Sequence, residues 1–245
     1  MSRHLFASLR SALLPSACAL CGMACDGAVC EPCAAQFLAP RPARCARCAN
    51  PLALADALLP CGACQSRQPA YDATVAAADY SSPLDQLVLD LKFGARLALA
   101  PWFGQAIAHA LAARGRVALP DVLCPVPLGA GRLVERGFNQ ALEVARPLSK
   151  ALGIPLRATL AVRLRETAAQ SGVTPSRRRE NMRGAFVVAP DALALVRGRH
   201  IGVVDDVMTS GATLHELAAT FKRFGAARVS NFVFARTPPH SLLES

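Results

Sequence analysis

The stretch from Ile201 to Leu214 reads Ile-Gly-Val-Val-Asp-Asp-Val-Met-Thr-Ser-Gly-Ala-Thr-Leu, and its residue types suit the holding of a phosphorylated sugar. Asp205 and Asp206 are adjacent carboxylates that can take sugar hydroxyls or metal-bound groups. Thr209, Ser210, Gly211, Ala212 and Thr213 are a run of small residues leading into a predicted helix. A small-residue turn at a helix start offers unpaired backbone N–H groups and the positive end of the helix dipole, which together favour a phosphate. Two plainer readings compete. A Walker B strand would need a Gly-x-x-x-x-Gly-Lys-Ser/Thr partner, and the chain has none. An ordinary strand–turn–helix would not need two adjacent acids followed by five small residues.

The elements that must carry these residues are legible from periodicity. Ile201 to Val204 is a short β-branched run that predicts a buried strand, with the two acids at its end, and Leu214 to Phe224 has helical spacing. Upstream, Asp121 to Pro127 predicts a strand stopped by Pro125 and Pro127, because proline cannot sit mid-ladder. A stiff loop is expected over Leu128 to Gln140, carrying Arg132 and Arg136, with Gly137 to Gln140 opening a helix that runs to about Leu152 and kinks at Pro147. That makes a second candidate anion site beside the alternative of a solvated basic loop. Arg163 to Arg183 holds six arginines against two glutamates and reads as a mobile basic loop followed by a short helix near Ser176 to Met182. Further strands are predicted at Ala73–Tyr80, 160–164, Ala185–Val188 and Arg228–Ala235, and helices at Pro83–Phe93 and about Pro101–Arg114. Lys92 and Arg96 lie at the end of the first of these helices, where cations suit the dipole without any further role. His109 reads as a surface or packing residue. Strands alternating with helices of this length point to a parallel α/β sheet.

Residues 18 to 68 are of a different kind. Cys18/Cys21, Cys30/Cys33, Cys45/Cys48 and Cys61/Cys64 are four Cys-x-x-Cys pairs, the spacing at which a turn delivers two thiolates to one metal. Eight ligands suffice for two structural zinc ions. Sequential pairing would give two ribbons and alternating pairing a cross-brace, and spacing does not separate them. Few large apolar residues lie between the knuckles, so metal ligation is expected to fold the module. Sites closed by four thiolates leave no open position for catalysis. Cys25 reads as a spare thiol in a loop and Cys124 as a buried strand residue.

The 245-residue chain has a net charge of +10 and a hydrophobic fraction of 53%. Its pI of about 9.5 favours polyanions without choosing among phosphate esters, pyrophosphate and nucleic acid. Metal-spaced cysteines indicate a reducing, cytoplasmic compartment. No apolar run approaches the roughly 20 residues of a membrane span. Leu5, Leu9 and Leu13 suggest a short amphipathic helix within 1–17, since Arg10 and Pro15 interrupt any signal-like apolar region.

The Ile201–Leu214 pattern resembles the phosphoribosyl-diphosphate (PRPP) signature of type I phosphoribosyltransferases, and the whole chain resembles the ComF family. The residues that carry the second resemblance are the paired knuckles, Leu91-Lys-Phe-Gly94, Pro125-Val-Pro-Leu128, Arg136-Gly-Phe-Asn-Gln140, Gln170-Ser-Gly172, Arg178 to Asn181 with Gly184-Ala-Phe186, and Val204 to Thr213. The resemblance implies a double zinc-ribbon module over 18–68 and a type I phosphoribosyltransferase domain, a parallel twisted sheet flanked by helices, over 70–238. It implies PRPP as ligand and a link to DNA uptake in competent bacteria, which makes competence-machinery proteins candidate partners; the +10 charge, the Arg163–Arg183 run and the zinc ribbons make single-stranded DNA another candidate. Asp205 and Asp206 would bind the ribose hydroxyls and stabilise an oxocarbenium-like transition state. Thr209, Ser210, Gly211, Ala212 and Thr213 would hold the 5-phosphate. Arg132 or Arg136 would face the pyrophosphate, and the basic segment around Arg178 would close over it. Mg(II) would arrive with the pyrophosphate, and the zinc ions would be structural. The resemblance implies no acceptor, and a non-catalytic nucleic-acid-binding or PRPP-gated role is the alternative.

Overall fold

The protein is described here by a computed structural model covering residues 16–38, 43–52, 60–115, 117–164 and 182–238. The helix expected within 1–17, the helix near Ser176–Met182 and Arg178 therefore lie outside the described residues, save for the ends of those ranges. The amino-terminal region holds the short antiparallel pair β1 (Ser16–Ala17) and β2 (Ala24–Cys25), then α1 (Glu31–Phe37) and α2 (Gly62–Arg67). There follow β3 (Ala73–Asp79), α3 (Leu84–Phe93), α4 (Leu99–Ala112), β4 (Val122–Pro125), α5 (Ala130–Arg136) and α6 (Gln140–Leu152). The chain continues through β5 (Ala161–Arg163), β6 (Phe186–Val188), α7 (Leu193–Val196), β7 (His200–Met208), α8 (Ala212–Arg223) and β8 (Arg228–Arg236).

Four of these strands form one parallel sheet in the order β3-β8-β7-β4. β7 lies inside it, with Val122 opposite Ile201 on one side and His200 opposite Arg228 on the other. Pairing of β7 with β8 continues to Met208 opposite Arg236, so Asp205 and Asp206 lie within the strand and not beyond it as the short apolar run suggests. The ladder supplies the reason: β8 is apolar and equally long, and it keeps satisfying the β7 backbone after the apolar side chains give out. Pro125 ends β4 as expected.

One face of the sheet is covered by α3, α4 and α6, which bury Leu87, Leu91, Phe103, Val144 and Leu148, with Phe103 stacked on Phe234 at a centroid separation of 3.7 Å. The other face carries α8, which buries Leu214, Leu217 and Phe221, and the antiparallel pair β5–β6. α6 runs on through Pro147, whose ring packs on α4 at Gly104: a Cβ there would lie 2.9 Å from Pro147 Cγ and 3.0 Å from the Leu148 nitrogen. α6 begins at Gln140, capped by Asn139, whose Oδ1 accepts from the Ala141 N–H at 3.0 Å. Arg132 and Arg136 lie on a short helix, α5, and not in a loop, and none of its side chains is buried. His109 is exposed and Cys124 buried, as read from the sequence, while Cys25 lies in β2.

Gly202 lets β7 pass beneath its neighbours. A Cβ there would approach Leu123 Cδ2 to 2.6 Å, Pro120 Cγ to 2.7 Å and a Phe232 ring carbon to 3.0 Å. Gly202→Ala is therefore expected to cost about 1–3 kcal/mol by overpacking, read as a lower denaturant midpoint with an unchanged slope.

Candidate functional site

The carboxyl ends of parallel strands are where open α/β sheets present ligand-binding residues, and the acid pair lies there on β7. Consecutive strand residues point to opposite faces, so the two carboxylates have different surroundings. Asp206 is 2% exposed. Its Oδ2 lies 2.6 Å from Lys92 Nζ at the end of α3, and its Oδ1 accepts from Gln140 Nε2 at 3.4 Å. Asp205 is half-buried, and its Oδ1 accepts from the Asp206 N–H at 2.9 Å. Burial and the adjacent Asp206 carboxylate raise the pKa of Asp205 well above the ordinary carboxylate value. Burial also opposes charge on Asp206, but Lys92, with hydrogen bonds from Asp205, Lys92 and Gln140, pulls its pKa below the ordinary value. The two surroundings thus push the acids in opposite directions, Asp205 towards holding a proton and Asp206 towards charge.

Lys92 is the group the sequence left without a role, since a cation at a helix end needs no partner. Its signal was the Leu91-Lys-Phe-Gly94 motif, which the fold brings against Arg136-Gly-Phe-Asn-Gln140. Arg136 Nη1 donates to Gln140 Oε1, and its guanidinium stands 5.3 Å from the centroid of the Phe93 ring, which is 73% exposed. Burial lowers the Arg136 pKa and Arg132 lowers it further, while Asp206 and Asp205 raise it, so Arg136 lies in the acid pair's field. Asn139 Nδ2 donates to the Val126 carbonyl at 3.1 Å and so ties the turn after Pro125 to the start of α6.

The small-residue run behaves as a turn into a helix. Gly211 has φ +77° and caps α8, which begins at Ala212, and the Ala212 N–H donates to Ser210 Oγ at 3.4 Å. A Cβ at Gly211 would strike Met208 Cε at 2.6 Å and the Tyr71 hydroxyl at 3.1 Å, so glycine is required on both conformational and steric grounds. Thr209 and Ser210 are exposed and Thr213 is half-buried. The fold therefore brings together Asp205, Asp206 and Arg136 near the ends of β7 and α5, with Arg132 one turn earlier on α5 and Thr209–Thr213 directly following β7. Arg163 and Arg183 flank the undescribed basic segment, and Arg163 stands 5.7 Å over the Phe186 ring.

The eight knuckle thiols fall into two groups, Cys18, Cys21, Cys30 and Cys33, and Cys45, Cys48, Cys61 and Cys64, each with its sulfurs within 4.8 Å of one another. Pairing is sequential. The Cys21–Cys30 and Cys48–Cys61 sulfurs are 3.7 and 3.5 Å apart, close to the edge of a tetrahedron with Zn–S bonds of about 2.3 Å. Backbone N–H groups point at the sulfurs, from Cys30 to Cys18 at 3.3 Å and from Cys61 to Cys45 at 3.4 Å. Cys45 is pulled down to about 4, chiefly by its Cys48 neighbour, while the thiols of Cys33 and Cys64 are pushed up to about 12, by Cys30 and by burial respectively. Four thiols this close ionise together only around a cation, and each group could hold one zinc ion. The second group does not stand apart from the sheet: Cys45, Cys48 and Cys64 are buried in the same core as Val203, Met208 and Leu214.

Residues 139–244 match the model of the phosphoribosyl transferase domain. The chain is 35% identical over 231 residues to a DNA utilization protein YhgH of Salmonella typhimurium, covering 91% of this chain and 98% of that protein. It is 31% identical over 183 residues to Competence protein F of Haemophilus influenzae, covering 72% and 78%. A solved glutamine PRPP amidotransferase from B. subtilis shares 17% identity over 56% of this chain and 26% of that one, at a TM-score of 0.38. That likeness is too distant to argue from.

The acid pair predicts two opposite shifts in stability. Asp205 has a raised folded pKa, so its contribution is full below the unfolded value of about 3.9 and is lost as pH rises towards the folded value. Asp206 has a lowered one, so its contribution is full above that value and lost as pH falls through the folded pKa. Asp205→Asn is expected to melt a few degrees higher than the parent at pH 8, with the gap closing towards pH 4. Asp206→Asn is expected to lose about 1–3 kcal/mol at pH 7. That falls short of the cost at a fully buried pair, because the Lys92 side chain keeps 23% exposure. Thermal unfolding across pH checks both.

Proposed function

The chain belongs to the ComF family and has a type I phosphoribosyltransferase fold preceded by a Cys-rich region, and from this premise we propose that it binds PRPP and transfers the ribosyl 5-phosphate to an acceptor. One observation carries the proposal: an acid pair inside a central parallel strand is followed directly by a small-residue turn that opens a helix. The first-turn N–H groups of α8 and the hydroxyls of Thr209, Ser210 and Thr213 hold the 5-phosphate. Asp205 takes a ribose hydroxyl. Asp206 takes the other by exchanging its hold on Lys92, and the released cation faces the anionic ligand. Arg132 and Arg136 face the pyrophosphate.

As the bond from the ribose anomeric carbon to pyrophosphate breaks, the ring gains positive charge, and a charged carboxylate beside it favours that state over the neutral ground state, a role that falls to Asp206. The acceptor then bonds to the same carbon and gives up its proton to the departing pyrophosphate or to solvent. Mg(II), bound with the pyrophosphate, would supply charge neutralisation of the leaving group beside Arg132 and Arg136. Family and thiol content favour a reducing, cytoplasmic setting, and among the described residues no helix is long and apolar enough to cross a membrane.

A second role beside this one rests on a separate observation. The net charge is +10, and relatives carry the names DNA utilization protein and Competence protein F. Single-stranded DNA in a competence setting is the polyanion that fits both. Such binding must weaken with salt, with a logarithmic slope of roughly −0.7 per phosphate contact, and salt-insensitive binding would remove this role.

Calorimetry with PRPP and Mg(II) is expected to show one site per chain, weakened at least about tenfold, some 1.4 kcal/mol, in Asp205→Asn and in Asp206→Asn. Absence of binding by the parent protein would overturn the proposal. Pyrophosphate release from PRPP, screened against bases, nucleotides and amines, then reads out the acceptor.

A further inference from the structure

Arg236 ends β8, the last strand, and is 7% exposed. Its Nε donates to the carbonyl of Cys48 at 3.0 Å, and Nη1 donates to the carbonyl of Met208 at 3.0 Å and also to those of Thr209 and Thr237. One guanidinium therefore joins a ligand residue of the second four-cysteine group to the first residues of the small-residue turn. Among the described residues it has no carboxylate partner. A buried cation held by carbonyl dipoles alone is poorly compensated. The nearest source of negative charge is the thiolate group itself: a divalent metal with four thiolates carries a formal charge of −2.

Two further contacts run the same way. Tyr71, 4% exposed and a few residues beyond Cys64, sets its hydroxyl against the α-carbon of Gly211, where no Cβ fits. The Ala70 N–H donates to His215 Nδ1 at 3.0 Å, in the first turn of α8. The knuckle region thus touches the turn at its start through Arg236, at its glycine through Tyr71, and at the helix it opens through His215.

We propose that the second four-cysteine centre, acting through Arg236 as a positioning residue, sets the conformation of the Thr209–Thr213 turn, so that affinity for the phosphorylated ligand depends on metal at that centre. The inference rests on the reading of this turn as the 5-phosphate site. Arg236 does not meet the ligand; it fixes the carbonyls of Met208 and Thr209, and so the direction in which the following N–H groups point. Loss of the metal leaves the guanidinium without its counter-charge and frees the turn.

The test uses the full chain, the variants Arg236→Lys and Cys61→Ser, and three readouts: zinc content, amide exchange, and PRPP affinity by calorimetry. Arg236→Lys keeps the charge and loses the fork. It is expected to retain the parent's zinc content, to exchange faster over 209–213 than the parent but not over α4, and to bind PRPP about tenfold more weakly, as outer-shell changes at metal sites do. Cys61→Ser is expected to lose one zinc per chain and show the same local exchange and weakened binding. Parent-like exchange at 209–213 in both variants would overturn the coupling, as would faster exchange spread equally over α4. Exchange is measured without ligand, so a parent that fails to bind PRPP would refute the phosphate reading alone and leave the coupling to be judged separately.

Discussion

Two carboxylates on consecutive residues of a central strand cannot both carry charge in a poorly hydrated setting unless a cation stands beside one of them. Lys92 is that cation, and much of the molecule is arranged to bring it there. α3 ends on it, α6 begins with the Gln140 amide on the other oxygen of Asp206, and α5 places Arg136 against both Gln140 and the Phe93 ring. Three short motifs far apart in sequence are thus parts of one charge arrangement. A buried pair of this kind adds little net stability; what it gives is a difference between the two acids at the ends of the strands, with charge favoured on Asp206 and disfavoured on Asp205.

The parts of this arrangement were unequally legible in the sequence. The acids, the small-residue turn, the helix after it and the parallel α/β class follow from periodicity and residue type, because those signals are local. The extent of β7 does not: its apolar run stops at Val204, and only the partner strand β8 shows that the ladder continues to Met208. Lys92 looked like an ordinary helix-end cation because its partner is over a hundred residues away. Arg236 gave still less signal, a single charge after the apolar run Phe232 to Ala235, and its role depends wholly on three segments meeting. The knuckle spacing gave the ligands but left their pairing open, which the proximity of the sulfurs settles as sequential.

The cysteine region also changes character in three dimensions. Read along the chain it is a module with too few apolar residues to fold by burial. In the folded molecule Cys45, Cys48 and Cys64 are themselves core residues, and Thr74 of β3 donates its hydroxyl to the Arg47 carbonyl at 2.7 Å and its N–H to the Ala46 carbonyl at 3.0 Å. Arg44, beside it, is paired with Asp79 at the end of β3 at 2.8 Å. The knuckle is seated along the sheet's edge strand, where it covers backbone groups that would otherwise face solvent.

The strand order carries a consequence for how the chain assembles. β3 has one strand neighbour in the parallel sheet, and that neighbour is β8, which enters between it and β7. During synthesis the first strand of the sheet must wait until about the last has been made, on the order of ten seconds or more at bacterial and eukaryotic translation speeds. Until then the edge later covered by β8 is open on both β3 and β7, while the knuckles, complete long before, are free to take up metal. Arg236 arrives with the closing strand. The same residue that completes the sheet's last ladder position is the one that reaches back to Cys48, so closure of the sheet also adds the last tie between β8 and the second knuckle group.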